Sequence, residues 1–232
     1  MKITVLGAGS WGATLAALLL ENGNDVTLWE FDKKRAGDLQ SRKIKPFSTG
    51  VDLPKDLFVT NGLDCVKNSE GVLFAVPSQF MRSTCTLLKD NGISLDGKLI
   101  MSATKGIENK TLLRMSEVIE KIFPGNYGNT AVLSGPSHAE EVCRKIPTAV
   151  TSASQNVETA EKCRSLFMNE YFRVYNQNDI IGVETGAALK NVFAIASGIV
   201  DGLKYGDNTK AAIVSRGLKE LGRIGVALGG KE

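Results

Sequence analysis

Short apolar runs and amphipathic stretches alternate along most of the chain. In the segment KITVL (2–6) the four residues after the lysine are apolar or β-branched, and residues 10–22 place Leu15, Leu18 and Leu19 at helical spacing. The later runs VLFAV and LIMSA lack polar alternation, which is typical of strands buried on both faces of a sheet. This order of strands and helices predicts an α/β fold with a doubly wound, mostly parallel sheet.

The same patterns set the expected bounds of the elements. The predicted strands are 2–6, 25–30, 57–60, 71–76, 98–104, 129–135, 148–154 and 172–176. The predicted helices between them are 10–22, 32–42, 78–90, 111–122 and 156–168. The stretch 43–56, with two prolines and a glycine, is expected to be irregular.

The pattern changes near residue 178, after which no convincing strand remains. We therefore expect a first domain over 1–178 and the start of an all-helical domain over 179–232. Residues 186–200 are small or apolar almost all round, interrupted by Lys190 and Asn191. A helix of this kind must be enclosed, so we expect a second subunit, as in a homodimer, or a further C-terminal segment to cover it.

Composition excludes several classes of protein. The 232 residues are 43% hydrophobic and 23% charged, and a net charge of +3 with scattered basic residues argues against a nucleic-acid partner. Four dispersed cysteines favour a reducing compartment, and His138, the single histidine, makes a metal site unexpected. With no signal peptide and no uncharged apolar span, a cytoplasmic protein without a membrane partner is expected.

The turn GAGSWG joins the first strand to the first helix and has the pattern G-x-G-x-x-G. Gly7 permits the tight turn, Gly9 lets the backbone approach a pyrophosphate, and Gly12 allows the helix to pack closely on the strand. The helix N-terminus then offers N–H groups and a partial positive charge to phosphates. This setting predicts a Rossmann-like dinucleotide site.

The end of the second predicted strand bears on the choice of dinucleotide. Glu30 is placed to accept hydrogen bonds from both ribose hydroxyls and to repel a 2′-phosphate, which favours NAD over NADP. Lys33, Lys34 and Arg35 lie close by and could instead serve a 2′-phosphate.

Three further stretches have residue types suited to chemistry: TKGIE around Lys105, SGPSHAEE around Ser137, and GAALKNV around Lys190. Lys105 and Ser137 both follow strand ends, where an open α/β sheet binds its ligands. Structural alternatives stay open for each. Lys105 can be a solvated loop residue, Ser137 a helix N-cap, His138 a local polar contact, and Lys190 a side chain that extends to solvent.

The motifs GAGSWG, TKGIE, SGPSHAEE, FRVY, IGVETGAALKNV and SRGLKELGRIGVALG, in this order, resemble bacterial NAD(P)-dependent glycerol-3-phosphate dehydrogenases. The resemblance covers essentially the whole chain. It implies a small-molecule substrate, namely dihydroxyacetone phosphate or sn-glycerol 3-phosphate, and a role in phospholipid synthesis. Cofactor contacts would come from Ser10, Trp11, Phe31, Lys105 and Ala139. Phe31 falls where the family often has a basic residue.

The resemblance also implies roles around the substrate. Lys105, Gly135 and Ser137 would hold it, and Lys190 would be the proton acceptor, with Asn191 beside it. Hydride transfer at the substrate C2 requires a proton to leave or reach the C2 oxygen. A lysine can exchange that proton near neutral pH only if its pKa falls, and we expect burial and the charge of Lys105 to lower it.

One departure from the family pattern limits the expectation of activity. The resemblance implies a later active-site aspartate and an SRN-type arginine for substrate phosphate, whereas SRG at 215–217 belongs to the preceding helix motif. We therefore expect a C-terminally truncated member in which cofactor binding is more complete than turnover. The alternatives are a non-catalytic dinucleotide-binding module and a dehydrogenase of another small phosphorylated ketone.

Overall fold

A single twisted sheet organises the protein in the computed structural model, which describes residues 1–46 and 52–231. Its eight strands lie in the order β3-β2-β1-β4-β5-β6-β7-β8. The first six are parallel, β7 runs antiparallel to β6, and β8 is parallel to β7. The strands are β1 (Lys2–Leu6), β2 (Asp25–Trp29), β3 (Phe58–Thr60), β4 (Gly71–Phe74), β5 (Leu99–Ser102), β6 (Thr130–Ser134), β7 (Thr148–Ala153) and β8 (Phe172–Gln177). The mostly parallel sheet predicted from the alternating pattern is confirmed.

Helices cover both faces of this sheet. They are α1 (Ser10–Glu21), α2 (Lys33–Gln40), α3 (Asp64–Lys67), α4 (Met81–Asp90), α5 (Met115–Ile122), α6 (Ala139–Cys143), α7 (Val157–Phe167), α8 (Ile180–Gly202) and α9 (Asp207–Ala227). On one face Leu15, Leu73 and Phe167 belong to the same buried apolar cluster. Phe74, the strand neighbour of Leu73, points to the opposite face, where it joins Cys85 and Ile119. These two apolar layers explain why the central strands lack polar positions.

Two helices differ in their first turns from the sequence-based expectation, and one helix was not expected. The helix predicted over 111–122 begins only at Met115, because Lys110 and Leu112 adopt left-handed backbone angles, with φ of 70° and 57°. The helix predicted over 78–90 opens with a short 3₁₀ turn, Ser78–Phe80, before α4. The four-residue helix α3 was not predicted. Of the predicted irregular stretch 43–56, residues 47–51 lie outside the described residues.

The helices α8 and α9 pack on each other, and the first turns of α8 contact the sheet. By length and composition alone, α8 is the one described helix that could cross a membrane. Glu184 near its start is buried, whereas Val192, Ile195 and Ile199 are more than half exposed. The described chain therefore does not supply the cover predicted for residues 186–200.

The parallel strands bring the predicted site residues to one edge of the sheet. The glycine turn follows β1, Glu30 follows β2, Lys105 lies just beyond β5, and Gly135 follows β6. Carboxyl ends of neighbouring parallel strands form a crevice, and this edge is where a ligand is expected.

Candidate active site

Two glycines of the first turn are required by close packing of the chain on itself. Gly7 has a φ of 108°, and a Cβ there would lie 2.8 Å from the Ala75 carbonyl oxygen. A Cβ on Gly12 would lie 1.9 Å from the Gly7 carbonyl oxygen. Both distances are impossible for a side chain, so these glycines let α1 start directly against β1 and β4.

Gly9 differs from these two glycines, because no contact with the described chain requires a glycine at this position. A Cβ at this position would meet no described atom within 4 Å. Gly9 is the N-cap residue of α1, and no side chain caps that helix terminus. The turn therefore presents backbone N–H groups at open space, which suits a phosphate that approaches the backbone closely.

The open space is a cavity of about 890 Å³, within the range of small-molecule and cofactor sites. Arg35 and Lys105 are the two cations among the described residues that line it, and Glu30 is the one carboxylate. The lining residues are Gly7, Ala8, Gly9, Ser10, Trp11, Trp29, Glu30, Phe31, Arg35, Ala75, Val76, Pro77, Ser78, Phe80, Ser83, Thr84, Leu87, Ala103, Thr104, Lys105 and Ser137.

Lys105 lies in this cavity among acceptors and an aromatic ring. Its Nζ donates to the Gly135 carbonyl oxygen at 3.0 Å and to Ser137 Oγ at 3.3 Å. It also lies 5.7 Å from the centre of the Trp11 ring, within cation–π range. Burial, followed by the charge of Lys190, lowers the pKa of Lys105 to about 8. The solvated-loop alternative for Lys105 is therefore wrong.

The turn after β6 supplies the partners of Lys105. A Cβ on Gly135 would lie 2.8 Å from the Val150 Cα, so this position accepts no side chain without a shift. Ser137 Oγ bonds to the Gly135 carbonyl oxygen at 3.2 Å. Ser137 is not the N-cap of α6, because that position belongs to His138, whose side chain makes no capping bond.

Ala139 begins α6 and is buried. It is not among the described residues that line the cavity. Its predicted cofactor contact therefore stays a prediction.

Lys190 is exposed, and its Nζ donates to the Asn191 Oδ1 at 2.9 Å. The prediction that Lys190 is buried is therefore wrong. Neither residue is among the described cavity-lining residues, although the charge of Lys190 reaches Lys105. The structure thus brings Lys105, Gly135 and Ser137 together and leaves Lys190 and Asn191 outside the cavity wall.

Trp11 and Phe31, both expected to contact a cofactor, line the cavity. The Trp11 indole N–H is buried and has no hydrogen-bond partner within the described part of the chain. Phe31 is exposed and packs edge-on against Trp29, with ring centres 6.2 Å apart. The uncapped helix terminus, the open side of Gly9 and this unpartnered donor fit a dinucleotide.

Sequence reasoning did not identify the residues that hold the Lys105 loop. Arg82 on α4 forms a two-pronged ion pair with Glu108, with Nε–Oε1 and Nη2–Oε2 distances of 2.8 and 2.7 Å. Gln79 donates to the Ile107 carbonyl oxygen at 2.9 Å. The nearest clue in the sequence was Glu108, the acidic residue of TKGIE. Its partner Arg82 lies 26 residues earlier, and no local pattern connects the two residues. No cluster of metal-ligating side chains occurs within 1–46 and 52–231.

Two family models match the chain. The N-terminal model of NAD-dependent glycerol-3-phosphate dehydrogenase covers residues 2–160, and the C-terminal model covers residues 179–232. The chain is 47% identical to the NAD(P)+-dependent glycerol-3-phosphate dehydrogenase of Fusobacterium nucleatum, covering 100% of this chain and 69% of that protein. A Thermoanaerobacter enzyme of the same name is 46% identical and is covered to 68%.

Solved structures agree with these matches. Glycerol-3-phosphate dehydrogenase from Coxiella burnetii superposes with a TM-score of 0.87 at 35% identity, over 99% of this chain and 70% of that one. The enzyme from Saccharomyces cerevisiae superposes with a TM-score of 0.84 at 30% identity, over 98% of this chain and 70% of that one.

Proposed function

Because the chain belongs to the NAD-dependent glycerol-3-phosphate dehydrogenase family, we propose that it interconverts dihydroxyacetone phosphate and sn-glycerol 3-phosphate with NAD(H) or NADP(H). The observation that carries the proposal is the shared cavity, into which the glycine turn and the Lys105–Ser137 cluster both open. A phosphate-binding turn and a partly buried ammonium are the parts that a nicotinamide-dependent ketone reductase requires.

The cofactor end of the cavity is formed by the first two strand ends. The N-terminus of α1 and Gly9 would hold the pyrophosphate, with Ser10 and Trp11 beside it and Phe31 near the adenosine. The dinucleotide, when bound, supplies or accepts the hydride. The role of the chain is to place the substrate carbon beside the nicotinamide and to keep water away from it.

Lys105 would bind and polarise the substrate. An ammonium has three donors, and Gly135 and Ser137 accept two of its bonds. The third donor is available for a substrate oxygen without breaking these contacts. Because Trp11 and the strand ends partly desolvate the ammonium, its attraction to that oxygen is stronger than it would be in water.

Lys190 would exchange the proton of the C2 hydroxyl, with Asn191 holding its Nζ. Its charge already lowers the pKa of Lys105, so the two ammonium groups are electrostatically coupled. To accept a proton from bound substrate, Lys190 must turn away from solvent and toward the cavity.

Paired binding and turnover measurements test this proposal. We expect calorimetry to detect NADH binding and an absorbance assay to detect NADH oxidation by dihydroxyacetone phosphate. Lys190→Ala should lower kcat by about 10²-fold or more while NADH affinity stays the same. Unchanged turnover in this variant would contradict the role of Lys190.

The exposure of Lys190 favours a second candidate function. With its proposed proton acceptor outside the cavity wall, the chain would bind a dinucleotide and turn over substrate slowly or not at all. Calorimetric binding of NADH without turnover of dihydroxyacetone phosphate is the result that this candidate predicts.

The proposed setting of the reaction follows from its product. We propose a cytoplasmic enzyme, active as a homodimer, whose glycerol 3-phosphate supplies phospholipid synthesis, with no nucleic-acid or membrane partner. Sedimentation equilibrium tests the dimer. Fractionation of cells tests the cytoplasmic location, and labelling of lipids from glycerol 3-phosphate tests the supply of phospholipid synthesis.

A further inference from the structure

The adenosine end of the cavity contains an ion pair that is also hydrogen-bonded to the glycine turn. Arg35 Nε donates to Glu30 Oε2 at 3.0 Å, and the Asp32 backbone N–H donates to Glu30 Oε1 at 3.1 Å. Arg35 Nη2 also donates to the Ala8 carbonyl oxygen at 3.0 Å. One guanidinium therefore joins the end of β2 to the glycine turn after β1.

Burial distinguishes this pair from ordinary surface pairs. The Arg35 side chain is 19% exposed and the Glu30 side chain is 14% exposed. Lys34, one residue earlier, is 88% exposed, pairs with Asp38 along α2 and does not line the cavity. Of the three neighbouring basic residues, Arg35 is the one whose charge is directed into the site.

A free carboxylate at Glu30 would bind a ribose diol and repel a 2′-phosphate. Here both Glu30 oxygens already accept a hydrogen bond, and a permanent positive charge lies within 3.0 Å of the carboxylate. The net charge of the pair is close to zero, and guanidinium is the side chain best suited to phosphate recognition. The repulsion expected from Glu30 alone is therefore cancelled.

Building on the proposed dehydrogenase function, we propose that Arg35 is a cofactor-selectivity residue that opposes Glu30. In contact with Glu30 it leaves a neutral site that accepts NAD(H). On binding NADP(H), the guanidinium turns from Glu30 to the 2′-phosphate. The two residues act in opposite directions, so the balance between them sets the ratio of the two affinities.

Cofactor binding is measured by quenching of tryptophan fluorescence. Both tryptophans of the chain, Trp11 and Trp29, line the cavity, so quenching by NADH or NADPH reports its occupancy without any turnover. Arg35→Met, which keeps an unbranched apolar stem, should weaken NADPH binding by about tenfold or more. It should leave NADH binding unchanged or tighter.

Three other variants complete the test. Glu30→Gln should weaken NADH binding and leave NADPH binding unchanged or tighter. Arg35→Lys keeps the charge and should retain most of the NADPH affinity if Arg35→Met proves unstable. Lys34→Ala is the matched control, because it removes a positive charge from the same turn of α2 outside the cavity, and it should change neither affinity.

The outcomes separate this inference from the function on which it rests. If the wild-type chain binds neither dinucleotide, the proposed function fails. If it binds both, and Arg35→Met leaves their affinity ratio unchanged or weakens both equally, the selectivity role of Arg35 is wrong. A loss of most of the NADPH affinity in Arg35→Lys, which keeps the charge, would contradict this role too. A fall confined to NADPH in Arg35→Met, absent in Lys34→Ala, supports it.

Discussion

Lys105 is a cation placed where water reaches it poorly. Two acceptors and the Trp11 ring surround its ammonium, and the charge of Lys190 acts on it from the neighbouring helix. Desolvation is the larger cause of its lowered pKa, and the like charge of Lys190 adds to it. At neutral pH the side chain is charged, and above pH 8 it becomes mostly neutral.

This pKa predicts how substrate affinity depends on pH. Charged Lys105 attracts an anionic phosphorylated substrate, so the substrate affinity should be full well below pH 8 and fall as pH rises through about 8. A pH titration of the tryptophan fluorescence should show the same midpoint, because the ammonium lies 5.7 Å from the centre of the Trp11 ring. Lys105→Met should remove the transition, and a midpoint unchanged in that variant would assign it to another group.

The like charge of Lys190 can be tested in the same titration. Lys190→Ala removes the second cause of the shift, so the pKa of Lys105 should rise above 8, although burial keeps it below 10.5. Lys219→Ala, on the exposed part of α9, is the control and should leave the midpoint in place.

These residues show what sequence can predict about a site. The proximity of Lys105 and Ser137 could be predicted from sequence, because both residues follow strand ends of the same parallel sheet. The exposure of Lys190 could not, because it depends on how α8 packs, and the contacts that fix α8 join residues 70 positions apart. Local composition around Lys190 predicts burial but does not reveal which side of the helix is covered.

The glycine turn contains two glycines with opposite reasons for being glycine. Gly12 is required by the fold, because its Cβ would overlap the Gly7 carbonyl oxygen, whereas Gly9 faces only open space. Gly12→Ala should therefore push α1 away from β1 and destabilise the protein by several kcal/mol, at the upper end of single substitutions. Gly9→Ala should cost about 1 kcal/mol or less.

The two variants should also separate folding from binding. Gly9→Ala should keep the native circular dichroism spectrum and lose NADH binding, since the methyl group occupies the path of the phosphate. Urea unfolding and fluorescence quenching measure the two effects. Normal NADH affinity in Gly9→Ala would place the pyrophosphate elsewhere.

The first turns of α8 are held by a buried polar network. Glu184 accepts from Arg114 Nη1 at 2.6 Å, from the Ser116 hydroxyl at 2.5 Å and from the Ser116 backbone N–H at 2.9 Å. Within the described chain, the Arg114–Glu184 pair is the one ion pair in which both side chains are under 10% exposed. The network ties the helix that bears Lys190 to the start of α5.

Removal of one partner takes away the buried half of this ion pair. Glu184→Ala should lower the free energy of unfolding by about 3 kcal/mol, because Arg114 loses its buried carboxylate and keeps only Glu117, whose side chain is 37% exposed. The double variant with Arg114→Met should recover part of that loss. Lys210→Ala removes an exposed pair between α8 and α9, and it should lower the free energy of unfolding far less than Glu184→Ala does. If urea unfolding showed the same loss of unfolding free energy in Glu184→Ala and Lys210→Ala, the role of burial would be contradicted.

Element order was predictable because apolar period and turn residues are local properties. Each predicted strand is present, and helices begin near their expected positions. The late start of α5 was not predictable, because nothing in the sequence marks Lys110 or Leu112 as left-handed. The same loop is also held by the ion pair of Glu108 with Arg82 on another helix, which no local pattern predicts.

At the scale of the whole molecule, α8 exposes a stripe of apolar side chains. Val192, Ile195 and Ile199, here termed the α8 stripe, follow helical spacing and are 61%, 65% and 57% exposed. Contiguous apolar surface of this kind marks an interaction site, which agrees with the sequence-based expectation of cover for residues 186–200.

If a second subunit covers the α8 stripe, a charge within it should separate the subunits. Ile195→Lys should convert a dimer to a monomer in sedimentation equilibrium, with the folding free energy of the subunit changed by only about 0.5 kcal/mol, because the side chain is exposed. Val157→Lys, on α7 and 67% exposed, is the matched control and should leave the mass unchanged. A monomeric wild-type chain whose α8 stripe binds an apolar dye would contradict the dimer and favour cover by a further segment of polypeptide, since the surface would then be present but unpaired.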